Sequence, residues 1–486
     1  MDNSAVIADS SPADVESCCR AAAAATAEFA DLAAWPLKRR AGLLRSVAEV
    51  LDAHTAELAG LADEETSLGS GRLTGEVGRT SWQLRLLADV VEDGGFAEII
   101  IDHALTAEGA SARPDLRRML VPIGPVAVYA ASNFPFAFSV VGGDTAAALA
   151  AGCPVVVKAH PGHPRTSQRT ADLVQQACRD AGAPAGTFAL VQGLDAGRRL
   201  VTDPRIRAAA FTGSQRGGRA LFGLAVSRPD PIPFYGELGS INPVFVTAAA
   251  VAARGPEIAA GFVASVTLGN GQFCTKPGLL FLPAGHGLDE ALATAISSVP
   301  AAPMLTPEIS DGFSSGTRDI AGIGAVRVLG AAEGPAAPRL YLTTAADVAQ
   351  HPRLAEECFG PSSVVAEYRY DQELVEAAGA VPGSLTAAIH AQPDDEKLIR
   401  ALLASLQSRA GRIIWNGWPT GVAVTWAMHH GGPWPATTAS IHTSVGPTAV
   451  RRFLVPVTFQ NVPAGLLPDV LQDTNPAGLP RRVDGQ

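Results

Sequence analysis

Pro154-Val-Val-Val-Lys158 is a short apolar run closed by a lysine, and it stands in a regular series of similar runs. Met119 to Val121, Val126 to Ala130, Phe188 to Val191 and Ala208 to Phe211 read in the same way, as short strands. Between them Gly142 to Ala151 reads as a helix of small residues, Ser167 to Ala181 and Ala196 to Thr202 as helices, and another helix opens near Ser214. Strands alternating with helices predict a doubly wound, mostly parallel sheet whose ligands lie in the crevice at the carboxyl ends of the strands. Lys158, Thr212, Gly213 and Ser214 all occupy such ends.

Working outward, a second α/β stretch begins near Ile241. Pro243 to Val246 reads as a strand, Ile258 to Leu268 as a helix and Gly278 to Leu282 as a strand. Ser363 to Tyr368, Leu385 to His390 and Gly411 to Trp415 follow as strands, with a helix over Asp394 to Ser408. The segment 283–340 is rich in Ala, Gly and Pro, and its internal order is not readable. Upstream, 14–62 reads as helix with Asp14 as N-cap, and a further helical run over Glu76 to Val91 follows a Gly-rich break at Gly69 to Gly75. Downstream, Arg452 to Gln460 is an isolated strand that needs a sheet elsewhere, on this subunit or another. The tail from Pro468 reads as mobile.

Composition excludes several classes of function. Hydrophobic residues make up 47% and charged residues 17% of 486 positions, which fits a globular chain of two or three packed units. A net charge of −10 leaves no basic face for phosphates, so neither a nucleic acid nor an acidic membrane is the expected partner. No stretch reads as a secretory signal or as a membrane span. Six cysteines without any C-x-x-C spacing indicate neither a zinc site nor a disulfide framework, so no metal is expected and a cytoplasmic location is.

Chemistry concentrates in a few places. Leu268-Gly-Asn-Gly-Gln-Phe-Cys-Thr-Lys-Pro-Gly278 sets Cys274 among small and polar residues at a helix-to-loop junction, where a thiol can serve as a nucleophile. The ordinary alternative is a small buried hydrophobe, which suits the other five cysteines better. Glu237, among Phe234, Tyr235, Leu238 and Ile241, is expected to have its pKa raised by burial, as a general base requires. The alternative is a buried carboxylate with a backbone partner. Asn133, after the strand 126–130, is either an oxyanion donor or a turn residue. Ser214 caps a helix whose free amides suit a phosphate. Gln83 and Arg85 sit among apolar neighbours; Arg85 either points inward or lies on the surface of an amphipathic helix.

Read together, these pieces resemble the aldehyde dehydrogenase superfamily over nearly the whole chain. The resemblance rests on Ser-Asn-Phe-Pro at 132–135, Val-Val-Val-Lys at 155–158, Phe-Thr-Gly-Ser at 211–214, Glu-Leu-Gly at 237–239, Gly-Gln-Phe-Cys at 271–274 and Glu-Cys-Phe-Gly-Pro at 357–361, in that order. Ala130-Ala-Ser-Asn-Phe-Pro, Lys158-Ala-His, Ser240-Ile-Asn-Pro-Val-Phe245 and His430-Gly-Gly-Pro-Trp-Pro-Ala-Thr-Thr438 make it similar to the 2,5-dioxopentanoate (α-ketoglutarate semialdehyde) dehydrogenase branch. An NADP-linked long-chain aldehyde branch looks similar there too.

The resemblance implies two doubly wound α/β domains with a small β arm. The dinucleotide-binding domain would take 1–101 and 119–239, the catalytic domain 240–445, the oligomerisation arm 102–118 and 446–467, and the tail 468–486. It implies that Cys274 attacks an aldehyde, that Asn133 and the Cys274 N–H hold the oxyanion, and that Glu237 activates water against the thioester. It further implies a nicotinamide cofactor held by Ser132, Lys158, His160, Gly213, Ser214, Glu357 and Phe359. Pro161 stands where many NAD-preferring relatives carry a ribose-binding Glu, so NADP is expected to be accepted, with His160, His163, Arg165, Arg198 or Arg199 available to its 2′-phosphate. Arg85 with Gln83 is the candidate for a substrate carboxylate, and Phe136, Phe273, Thr275 and Trp434 are candidate pocket walls. A homodimer or homotetramer is implied. The competing readings are an aliphatic aldehyde dehydrogenase and a catalytically silent scaffold of the same fold.

Overall fold

The computed structural model describes residues 7–32, 34–106 and 112–486. Five short parallel strands form one sheet in the order Phe188–Val191, Val155–Lys158, Val126–Tyr129, Ala208–Thr212, Phe234–Glu237. The order reverses direction at Val126–Tyr129, and such a switch opens a crevice at the carboxyl ends. Pairing of Tyr129 with Lys158 and of Thr212 with Glu237 sets both functional side chains along that one edge. Val155 to Lys158 are buried on both faces, which explains an unbroken apolar run instead of an alternating one. The helix Gly143–Ala151 is buried along almost its whole length. Its alanines admit the close approach that bulkier residues would block.

The second sheet has seven strands in the order Arg327–Ala331, Arg339–Thr344, Ser362–Tyr368, Leu279–Pro283, Pro243–Val246, Ser384–His390, Ala410–Trp415. All neighbours are parallel except the edge strand Arg327–Ala331. The segment 283–340 resolves into helices Asp289–Ser297 and Pro307–Ala321 followed by that edge strand. The strand is largely exposed and bulged between Val328 and Gly330, so it lacks the apolar alternation that sequence reading relies on.

Two N-terminal expectations are corrected. The helical stretch is three helices, Pro12–Ala30, Leu37–Ala53 and Thr55–Thr66, and the first is capped by Ser11, with Asp14 closing a capping box. The Gly-rich stretch is no break: one helix runs Ser70–Asp93, and burial of its apolar face overrides the low propensity of its glycines.

A third sheet has the order Leu454–Gln460, Leu116–Pro122, Ile99–Asp102, Arg481–Val483. The tail is therefore not mobile. Its last strand pairs with Ile99 to Ile101, Val470, Leu471 and Leu479 pack into a small core with Ile99, and Asp484 accepts from His103. Among the described residues no helix is long and apolar enough to cross a membrane.

Candidate active site

The Cys274 turn is shaped by backbone. Gly269, Asn270 and Gly271 all adopt positive φ, and a side chain at Gly271 would overlap the Gly360 carbonyl, so the turn closes only with glycine there. Thr275 is buried and its hydroxyl accepts from the Gly421 N–H at 3.3 Å. Asn242 donates to the Cys274 and Lys276 carbonyls at 2.8 and 3.0 Å, and the buried Lys276 ammonium donates to the carbonyls of Cys358 and Ser362. The loop carrying the thiol is thus tied to the starts of the two strands, Pro243–Val246 and Ser362–Tyr368, that flank Leu279–Pro283.

The thiol faces a histidine. Cys274 Sγ lies 3.6 Å from His430 Nε2, and that nitrogen lies 3.2 Å from Glu237 Oε1. Ser444 donates its hydroxyl to the other Glu237 oxygen at 2.7 Å. His430 is held by its own N–H to Thr443 Oγ1 and by its carbonyl, which accepts from Ser444. Sequence reasoning quoted His430 only as part of a motif, and 156 residues separate it from Cys274. A histidine beside another histidine before two glycines was the available signal.

Electrostatics correct the expectation for Glu237. Burial pushes its carboxyl up, but His430, Ser444 and the Cys274 thiol together outweigh that and hold it below its ordinary value. A remote partner reverses the sign that local context suggests. Burial and the Glu237 charge push the Cys274 thiol well above its ordinary value, so the resting sulfur keeps its proton.

Asn133 is buried, and its amide donates to the Gln272 carbonyl at 2.9 Å, which brings it to the cysteine turn and leaves its second N–H for another acceptor. Its own carbonyl accepts from Arg72 at 2.6 Å. Arg72 belongs to a polar stripe on the helix Ser70–Asp93. Positions 72, 76, 79 and 83 fall within about 60° of one another at helical spacing, whereas position 85 lies about 150° away. Glu76 accepts the Phe136 and Ala137 N–H groups, fixing the turn after Asn133, and Gln83 is buried near Gly143. Arg79 lies over the Phe138 ring, and Phe138 lies beside His430.

Arg85 does not reach the site: it is half exposed and paired with Asp52 at 2.6 Å, on the far face of the helix. Arg79, over the Phe138 ring, does lie by the site, and its charge, like that of Arg412, interacts with Cys274. Phe136 is fully buried in the core, so Phe134 and Phe138 stand where it was expected. Phe273 packs edge-on against Phe134 and under Arg72. Trp434 lines a separate cavity of about 490 Å³ with Gln215, Arg219, Gly239 and Glu357.

That cavity and the strand ends suit a dinucleotide. Lys158 is 9% exposed and makes no hydrogen bond or ion pair with a described residue. Burial pushes its ammonium down, Asp9 opposes weakly, and an oxygen-rich ligand would satisfy it. Ser214 caps the helix Gln215–Val226 through the Gly217 N–H, with the first helical amides free. A side chain at Gly239 would overlap the Glu357 carboxylate. His160 accepts from the Gly162 N–H, Arg198 is exposed and without an ion pair among the described residues, and Arg199 is paired with Asp195. Ser132, Gly213 and Phe359 are not buried.

Burial drives the Glu357 carboxyl from 4.5 up to about 7, against Lys276 and the Ser240 N–H, which pull it down. Between these values the folded chain holds a proton that the unfolded chain has lost, so this group's contribution to stability falls as pH rises through that range. Glu357→Gln is therefore expected to raise the melting temperature of cofactor-free protein near pH 8 more than near pH 5, as read by thermal unfolding at both pH values.

A parallel sheet with a switch-point crevice, next to a cysteine-bearing α/β layer, defines a nucleotide-dependent oxidoreductase of α/β build. The chain belongs to the aldehyde dehydrogenase family, whose model matches residues 2–434. The family oxidises aldehydes with NAD or NADP. The chain is 46% identical over 484 residues to α-ketoglutaric semialdehyde dehydrogenase 2 of Azospirillum brasilense, covering 98% of this chain and 92% of that one. It is 42% identical to α-ketoglutaric semialdehyde dehydrogenase of Acinetobacter baylyi, covering 92% and 87%. An aldehyde dehydrogenase C variant of Pseudomonas syringae in complex with NAD+ and octanal superposes with a TM-score of 0.77 at 21% identity, over 93% of this chain and 90% of that one, which shows the fold.

Proposed function

We propose that the chain oxidises 2,5-dioxopentanoate (α-ketoglutarate semialdehyde) to 2-oxoglutarate through a covalent intermediate on Cys274. The observation that carries the chemistry is the contact chain from Cys274 through His430 to Glu237. The lone pair of His430 Nε2 accepts the thiol proton as sulfur attacks the aldehyde carbon, and the N–H formed on that same nitrogen faces Glu237 Oε1, whose charge balances the imidazolium. The free Asn133 N–H and the Cys274 N–H hold the oxyanion of the thiohemiacetal. The bound nicotinamide supplies the acceptor for the hydride that leaves carbon. After His430 has released its proton to solvent, it takes one from water attacking the thioester, freeing the acid and the thiol. Glu237 then acts through His430, not as a solitary base.

Two features favour a small oxo acid over a fatty aldehyde. Arg79 lies over the Phe138 ring, which lies beside His430, and makes no ion pair with a described carboxylate, while its charge, offset in part by Glu76, reaches Cys274. The relatives at 46% and 42% identity bear the name of that substrate. Arg79→Met is expected to lower kcat/KM for an acidic semialdehyde by about 10- to 100-fold, through loss of a charge-assisted contact, while changing that for an uncharged short aldehyde far less. Equal losses with both substrates in steady-state assays would refute the assignment.

The cofactor reading is NADP at least accepted, because Pro161 offers no carboxylate, His160 follows Lys158 by two residues, and Arg198, without an ion pair among the described residues, adjoins Gly197, which packs on Lys158. The proposed assembly is a homo-oligomer in which the edge strand Leu454–Gln460 extends a neighbour's sheet. The testing assay is reduced-cofactor formation with short oxo-acid semialdehydes and with fatty aldehydes, using each nicotinamide. Preference for a fatty aldehyde would replace the substrate assignment, and no turnover with any aldehyde despite cofactor binding would favour a silent scaffold.

A further inference from the structure

The three groups at the thiol form a ligand set as well as an acid–base set. Glu237, Cys274 and His430 each present one ligand-type atom, and all lie within 4.8 Å of one another. Tetrahedral zinc with Zn–S about 2.3 Å, Zn–N about 2.05 Å and Zn–O about 2.1 Å requires sulfur and nitrogen about 3.6 Å apart and nitrogen and oxygen about 3.4 Å apart. The observed separations are 3.6 and 3.2 Å. The remaining side, sulfur to carboxylate, needs about 3.6 Å and is no longer than 4.8 Å here. Local spacing could not reveal this set, because its members come from three distant segments; the expectation of no metal rested on that spacing alone.

We propose that Zn2+, or another thiophilic divalent ion, binds Cys274, His430 and Glu237 in the cofactor-free enzyme and reversibly blocks the thiol. A thiolate, a neutral imidazole and a carboxylate are the donor types that select zinc over magnesium or calcium. The two anionic ligands neutralise the ion's charge, and the ion relieves the mutual repulsion that sulfur and Glu237 otherwise suffer in a buried place. Ser444, donating to the other Glu237 oxygen at 2.7 Å, orients the carboxylate as an outer-shell partner. Cys274 is only partly buried, so the fourth position faces the cleft and is left to water. The charges of Arg79 and Arg412 interact with Cys274 and oppose a cation there, which favours exchangeable over permanent binding. Substrate and metal would compete for one sulfur, so zinc sets the fraction of enzyme available for turnover. The blocking rests on the reading of Cys274 as nucleophile; the binding does not.

The test uses the metals alone on full-length cofactor-free protein. One equivalent of Co2+ is expected to give a thiolate-to-cobalt charge-transfer band, lost in Cys274→Ser. His430→Gln is expected to weaken Zn2+ binding in a competition titration by about 100-fold or more. In wild-type protein Zn2+ is expected to slow alkylation of Cys274 by iodoacetamide, read by peptide mass spectrometry, and to inhibit aldehyde oxidation in a way that a chelator reverses. A charge-transfer band that persists in Cys274→Ser, or unaltered alkylation under saturating Zn2+, would overturn the proposal. Metal binding at Cys274 without inhibition would leave the site standing and sink the catalytic reading.

Discussion

Cys274→Ser is expected to lose turnover by roughly 10⁴-fold or more while still binding NADP+. The serine hydroxyl fits the space of the thiol, and the turn that holds it is set by Gly271, Asn242 and Lys276, so the fold and the crevice survive. What is lost is the nucleophile. The resting thiol is already held protonated by burial and by Glu237, and a hydroxyl is a still poorer acid at the same place. Cofactor binding, read by fluorescence quenching or calorimetry, is expected to stay within a few-fold of wild type, because Lys158, Ser214 and Glu357 lie elsewhere along the crevice. Retained dehydrogenase activity would remove sulfur from the reaction.

His430→Gln is expected to lower kcat by about 10²- to 10⁴-fold, the usual worth of a positioned acid–base group. The amide can still touch both Cys274 and Glu237 but cannot carry a proton between sulfur and water. Both covalent steps then slow, so the burst of reduced cofactor in stopped-flow experiments is expected to vanish with the steady state. A variant that kept a full burst would show that thiol deprotonation does not pass through the imidazole, and would return Glu237 to the role of sole base.

The parts legible in the sequence are those whose meaning is local. Cys274 announced itself through the glycines on either side, and Lys158 through a valine run too apolar to be anything but a buried strand ending at a charge. Five of the second sheet's seven strands were readable within a residue or two for the same reason, whereas Arg327–Ala331 and Arg339–Thr344 were not. What failed depended on contacts across the fold. Glu237 looked like a carboxyl raised by apolar neighbours, and only the approach of His430 and Ser444 from the 430–444 segment reverses that sign. Arg85 was chosen for its apolar neighbours on a helix that the resemblance places along the substrate tunnel, whereas helical phase puts Arg79, and not Arg85, on the face with Arg72, Glu76 and Gln83. The spacing 72, 76, 79, 83 was available and would have pointed to it. Phe136 and Phe138 differ by two residues in an irregular turn, where no period tells which ring is buried. The tail looked loose because its ordering comes from a strand some 380 residues earlier, Ile99–Asp102, which Arg481 and its neighbours join.

Glu237→Gln separates the two halves of the reaction. Loss of its charge removes the counter-charge to the imidazolium in both steps, but in acylation this is offset because the same charge is a main cause of the raised thiol pKa, whereas in water attack the sulfur is already acylated and nothing offsets it. Acylation is therefore spared and hydrolysis slowed. Mixing this variant with NADP+ and the semialdehyde, quenching in acid and digesting for mass spectrometry tests the account most directly. The expected result is a nearly stoichiometric acyl group on the peptide carrying Cys274, formed in step with one equivalent of reduced cofactor. Reduced cofactor formed at that level with Cys274 unmodified at every quench time would contradict it.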